Sequence, residues 1–188
     1  MNPNNWGWVT ANATNKLDIN NAMVHITTNP SNGEVWAILA SDRYANSQGA
    51  CYVDFEFYQD TLYTTAAGGW VSGASATTGG RTVGDFLFTV EFKSSNPAFS
   101  VYRWQLISGS TYGYVQYTTF PAGSIYSSGN VGGEPVPYPA FGLNTYPSAA
   151  TFIEAAVNLT QVLGTINACT DLRIKTILIK AKASPSPS

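Results

Sequence analysis

The sequence predicts an all-β fold: a two-sheet antiparallel β-sandwich, jelly-roll-like, with one short helical turn. Three observations carry the prediction. Apolar side chains recur at every second position in run after run, as in "VDFEFY" and "DFLFTVEF". Clusters of Gly, Pro, Asn and Ser separate the runs. No regular exchange of helical and strand patterns occurs, which argues against a parallel sheet layered with helices. A chain of 188 residues, 44% hydrophobic, buries one core of ordinary size. Residues 1–183 read as a single β-sandwich domain and 184–188, "SPSPS", as a linker-like tail.

In order, "AMVHITT" (22–28) reads as the first strand, "NPSNG" as a turn, and "EVWAILASDR" (34–43) as the second strand. "CYVDFEFYQ" (51–59) is the third and "TLYTT" a short fourth; residues 66–80 are too glycine-rich to hold a ladder. "TVGDFLFTVEFKS" (82–94) restarts the alternation, followed by "FSVYRWQLI" (99–107) and "YGYVQYTTF" (112–120). Five prolines make 121–151 a long irregular crossing. Residues 152–159 alternate as a strand, with Ile153, Ala155, Val157 and Leu159 on one face, and "TQVLG" follows as the helical turn. The last strand, 172–183, changes its apolar parity near Thr176, which suggests a bulge or a change of sheet.

Charged residues make up only 11% of the chain, with net charge −2 and nine scattered basic residues. No basic patch is present to neutralise phosphates, so nucleic-acid binding is disfavoured. No apolar run approaches a membrane span. Hydroxyls and amides in place of charge suit an extracellular or cell-surface protein or a fibre subunit. Met1 has no signal peptide behind it, so export information is expected to have been lost upstream. Cys51 and Cys169 lack metal-ligand spacing and form either a long-range disulfide or two buried thiols.

A single histidine, His25 in mid-strand, with no nucleophile elbow around it, leaves no triad to build. On the third strand Val53, Phe55 and Phe57 share one face; Tyr52, Asp54, Glu56 and Tyr58 share the other. Asp54 and Glu56 stand roughly 7 Å apart by strand rise, within the window of about 5 to 9 Å that glycoside hydrolysis uses. Laminarinase-type sandwich glycosidases carry a longer E-x-D-x-(x)-E string, of which only Asp-Phe-Glu is present. Calcium suits the hard oxygens of Asp18, Asn20, Asp42 and Asp85 at strand ends, the alternative being turn capping. Arg43 is expected to pair with Asp54 or Glu56, and Arg81 with Asp18. Trp6, Trp8 and Trp70, outside the main strands, are the rings available to stack on sugar, with Tyr52, Tyr58 and Trp70 completing a ligand face beside the two acids. Trp36 and Trp104 are assigned to packing. "NAT" (12–14) and "NLT" (158–160) are glycosylation sequons.

"KLDINNAMVHI", "VWAILASDR", "VDFEFYQ", "GGRTVGDFLFTVEF", "AFG", "FIEAAVNLT" and "IKTILIKAKAS" occur in this order between residues 16 and 184. Together they resemble a β-domain of large secreted bacterial cell-surface proteins, where it often precedes immunoglobulin-like or PKD-type repeats. Ala181 departs from that pattern, which has threonine in a "KTKAS"-like strand. The resemblance implies an exported surface domain and carries over no catalytic residues. The expectation is a non-catalytic surface or adhesion module, binding carbohydrate or calcium or contacting neighbouring surface proteins. The alternatives are a self-assembling filament or sheath subunit joined by strand addition, and a glycosidase using Asp54 and Glu56.

Overall fold

The computed structural model describes residues 2–43, 49–135, 145–146, 149–163 and 173–187. Its strands are β1 (Ile19–Thr28), β2 (Val35–Arg43), β3 (Tyr52–Tyr58), β4 (Leu62–Thr64), β5 (Trp70–Ser72), β6 (Phe86–Glu91) and β7 (Phe99–Ser108). There follow β8 (Thr111–Tyr117), β9 (Ile125–Gly129), β10 (Glu134–Pro135), β11 (Thr145–Tyr146), β12 (Phe152–Asn158) and β13 (Thr176–Lys182). One helical turn, α1 (Leu159–Leu163), follows β12. A four-stranded sheet has the order β1-β2-β12-β9 and a five-stranded sheet the order β13-β3-β6-β7-β8, all antiparallel. This is the predicted all-β sandwich. The chain changes sheet between β2 and β3, between β8 and β9, and between β12 and β13, so neither layer is completed before the other begins.

Alternation places the core. Val35, Ala37 and Leu39 of β2 and Ile153, Ala155 and Val157 of β12 face inward from the four-stranded sheet. They meet Val53, Phe55 and Phe57 of β3 and Phe86, Phe88 and Val90 of β6. Each of these, fully buried, stabilises the fold by about 1.5–3 kcal/mol, less for the alanines. Cys51 is a buried thiol at the edge of this core. Cys169 and Leu172 lie outside the described residues, and with Cys169 the choice between a disulfide and two buried thiols.

Several elements differ from the sequence reading, among them the short pair β10–β11 inside the proline-rich crossing. The glycine-rich stretch 66–80 contains β5, which pairs with β4. The proline-rich crossing contains β9, whose Ile125, Ser127 and Gly129 lie opposite Val157, Ala155 and Ile153. Asn130 secures that pairing: its Oδ1 accepts the backbone N–H groups of Thr151 and Phe152, each at 2.9 Å. The parity change near Thr176 marks the start of β13, with Ile174 ahead of the ladder and Ile177 and Ile179 opposite Phe57 and Phe55. The tail is not free either, since Lys182 Nζ donates to the Ser186 carbonyl at 2.9 Å.

Gly129 tests the crossing. A Cβ there would collide with the backbone carbonyl of Lys93, which cannot swing aside as a side chain would. Gly129→Ala is expected to cost about 1–3 kcal/mol or more. Gly132→Ala, where a Cβ meets nothing within 4 Å, should stay within about 0.5 kcal/mol. Urea unfolding of the two variants checks the contrast, and equal losses would contradict it.

Candidate functional site

The outer face of the five-stranded sheet carries Tyr52, Asp54, Glu56 and Tyr58 as expected, but it is roofed over. The N-terminal segment and residues 60–81 make the roof. The Gly7–Gly69 bridge and the Trp8 N–H bond to the Gly68 carbonyl (2.8 Å) join the two pieces, and the Ser72 N–H donates to Asn4 Oδ1 (2.9 Å). The paired glycines below them have φ of +73° and +71°. A Cβ on Gly79 would sit 2.9 Å from the Trp104 ring, and one on Gly80 would strike Asn2 and Pro3. Glycine here lets the chain deliver Arg81 to the sheet.

Arg81 is the centre of the roof. Its Nε donates to Glu56 Oε1 at 2.6 Å, and both side chains are fully buried. The guanidinium lies over the rings of Trp104 (4.8 Å), Tyr114 (5.2 Å), Trp6 (5.5 Å) and Tyr58 (5.7 Å). Tyr114 donates its hydroxyl to Glu56 Oε1 at 2.6 Å, and Lys180 Nζ donates to Oε2 at 2.9 Å. Two residues along β3, Asp54 Oδ1 accepts from Lys182 Nζ and Thr89 Oγ1, each at 2.7 Å.

Burial pushes the Glu56 carboxyl up, but the charges of Lys180 and Arg81 and the Arg81 and Tyr114 hydrogen bonds outweigh it and hold the group below its ordinary 4.5. Burial prevails at Asp54 and Asp85, whose carboxyls are raised. The signs therefore differ. Glu56 stabilises the fold above about pH 4.5, and that contribution is lost as pH falls through its lower folded value. Asp85 costs stability as pH rises through its raised value. We expect the stability gap between the parent and Glu56→Gln to be widest at neutral pH and to shrink steadily below about pH 4.5. Urea unfolding across that range reads it, and a gap constant down to pH 2 would refute the assignment.

These contacts correct several expectations. Asp54 and Glu56 line no groove: both are fully buried beneath basic side chains. No polysaccharide reaches either carboxylate in this arrangement. Arg81 pairs with Glu56 rather than Asp18, and Arg43 donates Nε to the Ala150 carbonyl at 2.9 Å and stacks over Phe92 instead of meeting Asp54 or Glu56. Tyr58 is buried in the ring cage; Tyr52, at the other end of the row, is half-buried.

The four proposed calcium ligands do not converge. Asp42 is buried and accepts from the Asn21 backbone N–H, from Asn21 Nδ2 at 2.8 Å and from Asn20 Nδ2 at 3.5 Å, across the bulge that opens β1. Asp85 caps a turn: the Gln59 and Thr82 N–H groups donate to its two oxygens at 2.9 Å each. Cys51, ahead of β3, lies against Arg43 next to Asp42 in sequence, while Asp85 binds Gln59 at the far end of β3. Seven residues of strand separate the two ends by about 23 Å, so Asp42 and Asp85 cannot share an ion. Asp18 is exposed. Among the described residues no group of three or more His, Cys, Asp or Glu side chains stands ready for a metal.

The tryptophans divide differently from the expectation. Trp70 is half-buried between Trp6, edge-on at 5.8 Å, and Trp8, stacked at 6.2 Å. Trp8 remains 65% exposed, but the roof occupies one of its faces. Trp104 is packing, though under the roof and not between the sheets, and its Nε1 donates to the Thr78 carbonyl at 2.8 Å. Trp36, expected in the core packing, instead lies on the outer face of the four-stranded sheet, stacked on Tyr126 at 6.3 Å.

Among the described residues that face has no roof. Register sets His25, Ile38, Ala156 and Tyr126 in one outward row and Met23, Ala40, Glu154 and Ser128 in the next. Small Ala156 between Ile38 and Tyr126 leaves a trough of about 340 Å³, bordered by Glu154, Ser127 and Ser128. Tyr126 is 59% and Ile38 43% exposed. A signal for this face was present: "VWAILA" is apolar on both parities, which requires either a second buried face or an exposed apolar surface. Of the two sequons, Asn12 is exposed, whereas Asn158 is buried and capping α1 through Gln161 N–H, out of reach of a glycan. No described helix is long and apolar enough to cross a membrane. No protein-family profile matches the sequence, and no curated protein or solved structure matches it.

Proposed function

We propose that this chain is a non-catalytic extracellular β-sandwich module of a cell surface, and that it binds carbohydrate in the trough beside Tyr126, the ring on which Trp36 stacks. The supporting observation is the contrast between the two outer faces. One is roofed, with Asp54 and Glu56 both engaged; the other is open among the described residues, apolar at its floor, and edged by the Tyr126 ring, the Glu154 carboxylate and the Ser128 hydroxyl. Aromatic faces stack on the C–H faces of sugar rings while polar tips meet the hydroxyls. The trough is at the lower end of the roughly 300–1,000 Å³ of ligand pockets, which suits one or two sugar units. Low charge over the whole chain is in keeping with an extracellular setting.

Calorimetry against neutral oligosaccharides tests the reading. Tyr126→Ala and Trp36→Ala should each weaken binding about tenfold or more, the equivalent of about 1.4 kcal/mol. Trp8→Ala should leave it unchanged. Parent-like binding by both trough variants, or transfer of the loss to Trp8, would refute it.

A second reading, the self-assembling subunit, is favoured by β1. This edge strand runs ten residues without Lys, Arg, Asp or Glu, and its inward Ile26 is 38% exposed. Long uncharged edges are templates for another strand. A monomer by light scattering at high concentration would exclude it.

A further inference from the structure

Two lysine–carboxylate pairs span β13 and β3 side by side, and they are built differently. Lys180 lies opposite Asp54 in the ladder but gives its ammonium to Glu56, which Arg81 and Tyr114 also hold. Lys182, opposite Tyr52, reaches diagonally to Asp54. Asp54 is fully buried, the Lys182 side chain is 14% exposed, and Nζ lies 2.7 Å from Oδ1. Asp54 Oδ2 has no hydrogen-bond partner among the described residues. Thr89 Oγ1 touches both reactants, donating to Asp54 Oδ1 at 2.7 Å and lying 3.4 Å from Lys182 Nζ.

From this geometry we infer that Lys182 and Asp54 condense into an intramolecular isopeptide bond that ties the last strand to β3. With Nζ on one carboxyl oxygen, Nζ and Cγ come within about 3–3.5 Å, the separation of a near-attack arrangement. Three features set this pair apart from an ordinary ion pair. Water is largely excluded, so the leaving water is not replaced from bulk. Burial raises the Asp54 carboxyl and lowers the Lys182 ammonium, moving both toward the neutral forms that react, whereas Glu56 beside them is held ionised. The Thr89 hydroxyl offers a path for the proton between the two groups.

The step balances. Lys182 passes one proton to Asp54, giving a neutral amine and a carboxylic acid. The Nζ lone pair attacks Cγ and the C–N bond forms. A second proton moves from Nζ through Thr89 Oγ1 to Oδ1, the Cγ–Oδ1 bond breaks, and Oδ1 leaves as water. Oδ2 remains as the amide oxygen. One ammonium and one carboxylate become one amide and one water, with no oxidant or cofactor. The inference is independent of the carbohydrate reading.

Intact mass spectrometry of the denatured chain decides it. The parent should be lighter than its sequence by one water, about 18 Da, and a peptide map should show the segments around residues 54 and 182 joined as one branched species. Lys182→Arg and Asp54→Ala should each return to the full sequence mass, and Asp54→Asn should lose ammonia, about 17 Da. Thr89→Val should lower the cross-linked fraction. Full sequence mass in the parent, fresh and after days at neutral pH, overturns the proposal; so does a loss of water that persists in Lys182→Arg, which would place it elsewhere. Because the parent's own mass is decisive, a variant that fails to fold does not blur the result.

Discussion

Arg81→Ala is expected to destabilise the protein by about 3–5 kcal/mol, because it strips a partner from a buried carboxylate. Arg81 and Glu56 are both fully buried and 2.6 Å apart, so solvent screening does not discount the pair. Glu56 keeps Tyr114 and the partly exposed Lys180, which places the loss toward the lower end. The four rings around the guanidinium would then line a void as well. Arg81→Lys should recover less than half of the loss, since a compact ammonium cannot lie flat among rings and carboxylate together. The double variant Arg81→Met with Glu56→Gln should be more stable than Arg81→Ala, because both charges leave together. Denaturant unfolding of the cycle gives the coupling, expected at about 0.5–3 kcal/mol. The exposed Lys175–Asp60 pair is the control, and Lys175→Ala should cost under about 1 kcal/mol. A loss below that for Arg81→Ala would mean the roof stands without its central ion pair.

The roof also shows why the site was only half legible. Alternation along "YVDFEFY" correctly put the two acids and two tyrosines on the face away from the core. It says nothing about what lies above that face. The cover consists of 3-10 turns, two three-residue strands and a glycine pair, none of which has a period to detect. Arg81 lies in no strand, and its partner is 25 residues away on β3. With few charges in the chain, pairing of the buried ones was foreseeable; which arginine met which acid was not, because that depends on the tertiary path of residues 60–81. The bare face had the opposite fate. Its signal was local and present in β2, but an apolar run on both parities does not say which side remains uncovered.

The strands were more legible because their cause is local. β2, β3, β6, β7, β8 and β12 fall close to the runs that alternate, since a half-buried strand needs that pattern to keep its register. β1 begins earlier than its alternation because Asn20 and Asn21 enter through a bulge held by Asp42. β9, "IYSSG", was lost because its inward positions carry Ile125, Ser127 and Gly129, too small to show a hydrophobic period, and its place in the sheet is set by Asn130 and by the close approach of Lys93.

Phe88→Ala is the second large loss expected, about 3–5 kcal/mol. Phe88 is fully buried on the middle strand of the five-stranded sheet, with ring centroids of Phe86, Phe57 and Phe99 at 5.2, 5.5 and 5.7 Å. Across the core the opposite sheet presents Ala37 and Ala155 among the branched side chains of Val35, Leu39, Ile153 and Val157. Branched side chains held on the backbone of a paired sheet close only partly over a missing ring. The site therefore relaxes poorly, and the truncation should fall in the upper part of the range. Phe88→Leu, which keeps most of the volume, should cost under about 1.5 kcal/mol. Both follow from the shift in urea midpoint at unchanged slope. A loss under about 2 kcal/mol for Phe88→Ala would show that the sheets close over the gap, and hence that their spacing is not set by this ring cluster.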